Sequence, residues 1–330
     1  MAESRTTKSI KNAQVSFFYY VVLMILGFWS RKVFFDYLGA EVVGLETTAG
    51  NLLGFLNLAE LGIGMSVTYF MYKPLFSKDY EEINRIVALQ GWIYKRVAFL
   101  VIAGALVLMC FFPIIFKSMK LPLWYAYAVF GVFLFGSLLG YFVNYRQIVL
   151  NADQKGYKVT RVTTGMNVVL RIIQILLLPI VPNPFIFYIS TTLFSTIFTC
   201  WWLNHTVAKE YPWLKTRGLN GKDLLRDYPE VITKTKQLFV HKITTVLLFQ
   251  GTPFIMYAFS TLSIVACYAN YLLIVGKLKD VVSMVYSSMG AAVGSLIAEG
   301  NNEKIIRRFW ELFDSRFSIR MPSTSDSHVS

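Results

Sequence analysis

Residues 15–29 read VSFFYYVVLMILGFW, fifteen positions without a formal charge. A helix that crosses the hydrocarbon core of a bilayer needs ~20 mostly apolar residues. This run continues through Arg31 and Lys32 into Val33-Phe34-Phe35, so the expected span is 14–37. Arg5, Lys8 and Lys11 precede it, as in a secretory signal, but no small-residue cleavage site follows. It therefore reads as a retained first span. Lipid offers the backbone no hydrogen bonds, so such a segment must be helical.

The same pattern recurs along the chain. Eight spans are expected, at roughly 14–37, 47–70, 91–115, 123–150, 160–181, 184–206, 240–262 and 265–298. Composition agrees: 55% of residues are hydrophobic and only 15% charged, against ~25% charged in ordinary soluble domains. Mean hydropathy is +0.51. The fold class read from these features is an all-α polytopic membrane protein.

The net charge of +13 would suggest nucleic acid in a soluble protein. Here the basic residues gather in alternate loops. The N-terminus and segments 71–96, 146–161, 207–242 and 299–320 hold most of the Lys and Arg. The intervening loops hold few: Arg31 and Lys32 near the first, Lys117 and Lys120 in the second, and none near Pro182-Asn183-Pro184 or Thr261-Leu262-Ser263. The positive-inside rule then places both termini in the cytoplasm, as an even number of spans requires. No nucleic-acid partner is expected.

Cys110, Cys200 and Cys267 lie far apart with no CxxC, so no disulfide framework is read. His205, His241 and His328 lack metal-ligand spacing. No HExxH, GxSxG or P-loop occurs. A non-enzymatic protein without cofactor is expected. Three small-residue pairs, Gly50/Gly54, Gly136/Gly140 and Gly290/Gly294, suit close helix approach in lipid. Pro113, Pro179 and Pro253 are candidate bends. Segment 77–83 reads as a helix start, and 207–239 as an interfacial segment between two halves.

Charged groups inside spans are the functional candidates, because an Arg or Lys at a helix centre costs ~2.5–3.5 kcal/mol on insertion scales. Arg171 lies halfway along the fifth span. It suits an aqueous cavity, a structural ion pair, or a span boundary that falls elsewhere. Lys277, Lys279 and Asp280 lie in the eighth span, and Lys277 and Asp280 have the spacing of a pair on one helix face. Arg31 and Lys32 sit near the outer end of the first span, where snorkelling is the simpler explanation. Glu60 in the second span suits proton or cation binding, or pairing with one of these cations.

Three blocks near the N-terminus resemble a known family. They are residues 37–45 (YLGAEVVGL), 56–64 (LNLAELGIG) and 72–75 (YKPL). Residues 150–155, 268–271 and 293–301 are similar to its later blocks. The family is the Wzx-type oligosaccharide flippases of the MATE-like superfamily, and the resemblance covers residues 12 to about 319. It implies two pseudo-symmetric six-helix lobes around a central cavity. It also implies alternating-access transport of an undecaprenyl-diphosphate-linked oligosaccharide across the inner membrane, for capsule, exopolysaccharide or O-antigen assembly. Implied partners are that lipid-linked oligosaccharide, membrane lipids and the polysaccharide polymerase machinery. Arg171, Lys277, Lys279, Arg31 and Lys32 would then hold the diphosphate, and Glu60 would couple an ion.

The matching pattern stops near Ile319, where another apolar span should begin. The expected organisation is a six-helix lobe at 1–206, a linker at 207–239, a partial second lobe at 240–320 and a disordered tail at 321–330, as from a frameshifted or truncated product. A drug or cation antiporter of the same superfamily is the alternative, favoured by an acidic cavity. A membrane-embedded glycan transferase or polymerase is a further one, disfavoured by the short outer loops.

Overall fold

The computed structural model describes residues 5–60, 62–216 and 221–276, together with Ile306 and Trp310. Among the described residues all regular structure is helical. The helices are α1 (Arg5–Tyr37), α2 (Gly39–Leu56), α3 (Ile63–Ser77), α4 (Tyr80–Cys110), α5 (Phe112–Ile115), α6 (Trp124–Phe142), α7 (Ile148–Ala152), α8 (Gly156–Leu177), α9 (Pro184–Glu210), α10 (Gly221–Asp227) and α11 (Pro229–Phe259). A last helix, α12 (Leu262–Gly276), is short and apolar. The chain forms two units, Met1–Asn270 and Tyr271–Ser330. The first unit carries the helical bundle. In the second, the described residues are the helical 271–276 and the isolated Ile306 and Trp310.

Local chemistry sets the ends of these helices. Asp79 caps α4 by accepting the Glu82 N–H at 3.0 Å, with Glu81 and Glu82 in the first turn, as the acidic start at 77–83 suggests. Asn183 caps α9 through the Ile186 N–H at 3.2 Å, followed by Pro184 at the first helical position. Of the candidate bends, Pro113 opens α5 and Pro253 lies within α11, while Pro179 follows the end of α8.

The second expected span, 47–70, is not one helix. It breaks after α2 into a 3-10 turn, Asn57–Glu60, and resumes as α3. Gly62 enters α3 at φ +92°, a left-handed geometry that glycine adopts without a Cβ clash. Only Asn57 and Glu60 interrupt the apolar composition here, too few to mark the break in sequence.

Four described helices are long and apolar enough to cross a membrane: Ile10–Tyr37, Tyr80–Cys110, Trp124–Phe142 and Pro184–Glu210. This is fewer than the eight expected. The second is broken, α8 carries Lys158, Arg161 and Arg171, and α11 carries Lys234, Lys236 and Lys242 in its first half. Residues 277–298 of the eighth lie outside the described residues, as do Gly290/Gly294 and the tail 321–330.

The outer surface is that of a membrane protein. Trp29 of α1, Phe99 of α4 and Phe194 of α9 are 63%, 65% and 67% exposed. Only 6% of the apolar stretch of α1 is buried. Meanwhile Thr48, Ser66, Gln90, Gln174 and Ser195 are buried. Water would penalise so many exposed large apolar groups, whereas lipid accommodates them.

Inside, α1 packs on α8, α8 on α9, α9 on α6, α6 on α2, and α2 back on α1. These five helices close a ring. A second group joins α3, α4 and α6, with α11 against α2 and α3. At the tightest approach, a Cβ on Gly44 of α2 would overlap the Leu262 carbonyl oxygen at the start of α12. The expected small-residue pairs contribute less. A Cβ on Gly136 would stand 3.2 Å from the Thr196 methyl and one on Gly50 3.7 Å from the Phe133 ring, while Gly140 faces open space.

The basic segments converge on one end of the bundle. Asn12 of α1 donates to the Gln154 carbonyl at 2.9 Å and accepts the Tyr157 N–H at 2.6 Å. Lys155 bridges Asp153 and Glu210 at 2.6 and 2.9 Å, and Tyr211 donates to Asp153 at 2.9 Å. Asn84 accepts the Lys215 N–H at 2.9 Å, and Arg85 pairs with Asp227. At the other end the Lys120 N–H donates to Glu41 at 3.0 Å, and Ser118 approaches Tyr257 at 3.4 Å. The described part of the chain thus runs up and down, with its lysine- and arginine-rich loops sharing one end.

Candidate functional site

Inside the five-helix ring a charged cluster forms. Arg31 comes from α1, Glu46 from α2, Arg171 from α8 and Tyr188 from α9. Arg171 Nη2 lies 3.8 Å from Glu46 Oε1, and its guanidinium sits 5.0 Å from the centre of the Phe34 ring. Arg31 donates from Nε to Asn270 Oδ1 at 2.6 Å. The carboxylate of Glu46, the Arg171 guanidinium and the buried Tyr188 hydroxyl all lie within electrostatic range of Arg31.

Two guanidinium groups face one carboxylate, so the cluster holds one positive charge in excess. Attraction between charges grows steeply as water is excluded. An arginine presents about five N–H donors in a planar fork that fits phosphate oxygens two at a time. These contacts engage only part of each fork. At 3.8 Å the Arg171–Glu46 pair is loose.

Sequence reasoning places Arg31 and Arg171 as separate candidates, and the fold brings them together. Lys32 is exposed, beside Arg31 in sequence, and does not share this interior. Lys277 and Lys279 lie outside the described residues. Glu46, Tyr188 and Asn270 were not legible as site residues. Glu46 falls one position before the expected start of its span, where a carboxylate looks like an ordinary loop residue.

Glu60 belongs to a second polar place. It ends the 3-10 turn between α2 and α3 and borders a cavity of about 580 Å³. Tyr94 of α4 donates to Glu60 Oε1 at 2.7 Å. Asn57 Oδ1 accepts from Ser137 at 3.0 Å and from Tyr141 at 2.9 Å, tying the turn to α6. Gln90, Tyr72 and Tyr145 also line the cavity. Among the described residues that line it, Glu60 alone carries a formal charge. Of the two alternatives for Glu60, pairing with an intramembrane cation is not seen toward Arg31 or Arg171, where Glu46 has that place, and Lys277 and Lys279 lie outside the described residues. The aromatic partners escaped notice because tyrosines in apolar spans read as lipid-facing.

Among the described residues no group of three His, Cys, Asp or Glu is placed to hold a metal ion. No protein-family model, curated protein or solved structure matches the chain.

Proposed function

We propose that this chain is a flippase-type transporter of the MATE-like class, moving a polyprenyl-diphosphate-linked oligosaccharide across the inner membrane by alternating access. The observation that carries this reading is the convergence of Arg31 and Arg171 on Glu46 inside the helical ring. An excess positive charge in an apolar surround is costly and suits an anionic headgroup. A diphosphate accepts from both guanidinium forks, while its prenyl chain stays in lipid. The blocks at residues 37–45, 56–64 and 72–75 support the same reading by their resemblance to flippases.

In this reading the basic end of the bundle faces the cytoplasm, with both termini on that side. The helices of 1–206 form the first lobe, and Glu60 is the group that couples transport to an ion. Polysaccharide polymerase machinery would receive the exported unit.

A second reading, a drug or cation antiporter, is favoured by one observation: among the described residues, the 580 Å³ cavity carries Glu60 and no basic side chain along its lining. The two readings separate in a binding experiment on the purified protein. Farnesyl diphosphate, a short soluble polyprenyl diphosphate, should bind the wild type saturably. Arg171→Ala should weaken it by about tenfold or more, the value of one or two charge-assisted hydrogen bonds. Absence of binding, or equal binding of farnesol, would leave the antiporter reading in place.

A further inference from the structure

One stripe of α4 carries a track of side chains that neither the arginine cluster nor the Glu60 cavity uses. Trp92, Arg96, Phe99, Ala103 and Val107 recur every three or four residues, so they share a face of the helix. Lys95 flanks them. Lys95 and Arg96 are exposed, and among the described residues neither has a carboxylate within ion-pair distance. The Arg96 guanidinium lies 3.6 Å from the centre of the Trp92 ring. Such stacking occupies the face of the fork and leaves its N–H edge for an anion. Trp92 is fixed in turn by α10, since a Cβ on Gly221 would fall 2.1 Å from its Cγ.

One turn farther along, the same face becomes apolar. Phe99 and Leu100 are exposed. Beside them opens a crevice of about 590 Å³, lined by Phe55, Leu58, Leu100, Gly104, Val107 and Phe239 among others. Every described residue of its lining is apolar. Residues 96 to 107 span ~16 Å of helix, about one leaflet of a ~30 Å hydrocarbon core. Two unpaired cations at headgroup depth, continuous with an apolar crevice at acyl depth, complement an anionic amphiphile. A zwitterionic head would bring its ammonium against Lys95 and Arg96, whereas a phosphodiester with an uncharged alcohol brings negative charge alone. Phe99 and Leu100 turn this face toward lipid, where bulk phospholipid is the abundant amphiphile.

We infer that this face of α4 binds one anionic glycerophospholipid of the phosphatidylglycerol type. Its phosphate sits on Lys95 and Arg96, and an acyl chain lies in the crevice. The site does not depend on the transport reading, and its failure would leave that reading as it stands.

The experiment is native mass spectrometry of the purified full chain in detergent, titrated with phosphatidylglycerol and separately with phosphatidylethanolamine. The first phosphatidylglycerol should bind about tenfold more tightly than phosphatidylethanolamine, the value of two headgroup cations. Lys95→Gln with Arg96→Gln should bring the two lipids level. Lys95→Glu with Arg96→Glu should reverse the preference, a gain that misfolding cannot imitate. Ala103→Trp fills the crevice from its exposed side and should weaken the first phosphatidylglycerol about tenfold, although both cations remain. Lys209→Gln, which removes an exposed cation in the last turn of α9, should leave the preference unchanged. Equal affinity of the wild type for the two lipids overturns the inference, and so does a preference that survives the double glutamine variant. Displacement of the bound phosphatidylglycerol by equimolar farnesyl diphosphate in Arg171→Ala would also overturn it, by assigning the track to a polyprenyl diphosphate.

Discussion

Arg171 of α8 and Glu46 of α2 form an ion pair across the helical ring with 3.8 Å between Nη2 and Oε1. Arg31 lies within electrostatic range of the same carboxylate. Glu46 therefore keeps a cationic neighbour when Arg171 is removed. Breaking a buried pair outright costs ~3–5 kcal/mol, but here the second arginine offsets much of that. Arg171→Ala is expected at near-normal abundance in the membrane, with loss of surface polysaccharide. Arg171→Lys should retain part of the activity, because charge survives while the planar fork does not. Immunoblots beside polysaccharide staining check both. Loss of the protein itself would make the pair structural.

The counterpart variant has the opposite sign. Glu46→Gln removes the carboxylate that competes with an incoming anion for Arg31 and Arg171. Farnesyl diphosphate should bind this variant about threefold to tenfold more tightly, by the value of one charge-assisted contact. Weaker binding in a titration of the folded protein would mean that Glu46 orients the arginines rather than competing for them.

The close approach of α2 to α12 makes a stability prediction. A methyl on Gly44 would press into the Leu262 carbonyl, a backbone group that cannot rotate away. Gly44→Ala should cost ~1–3 kcal/mol, the scale of overpacking, and lower the melting temperature in detergent. Gly140→Ala, where a Cβ meets open space, is the matched control and should melt as the wild type does.

The polar end of the bundle is sensitive to alkali. Burial works against the charged form of Lys155, but Asp153 and Glu210 outweigh it, and its pKa is raised above the usual lysine value. A raised folded-state pKa gives stabilisation that is complete below the unfolded value of ~10.5 and is lost as pH climbs through the folded one. Proteolysis within 207–216 should therefore accelerate above about pH 10.5. Lys155→Met should be cut faster than the wild type at pH 8 and show a smaller change with pH.

Topology follows from the two ends of the bundle and the rule that basic loops stay inside. Reporter fusions after residue 120 and residue 183 should report the outer side, and a fusion after residue 220 the cytoplasm. A fusion at 220 that reports outside would invert the assignment.

The membrane-protein class was legible because apolar runs such as 15–29 are long and uncharged, and lipid leaves such runs only the helix. Arg31 and Arg171 were legible as candidates because charge inside an apolar run is costly. Their meeting was not, because it depends on α1 packing against α8, which no local pattern encodes. The break at 57–62 was hidden because only Asn57 and Glu60 interrupt an otherwise apolar run, although Gly62 marks it once its backbone angle is known. Gln90 fell just before the expected third span and read as a loop residue, yet α4 begins at Tyr80 and carries it inside.

The most direct test of the account is translocation in proteoliposomes. The purified protein would be reconstituted with a fluorescent polyprenyl-diphosphate-linked oligosaccharide, and the fraction of sugar open to an external lectin or glycosidase followed over time. Wild-type protein should expose lumenal-leaflet sugar at a rate well above protein-free vesicles, and Arg171→Ala, at equal reconstitution, should fall to the protein-free rate. No translocation by the wild type, or equal rates for the wild type and Arg171→Ala, would contradict the account.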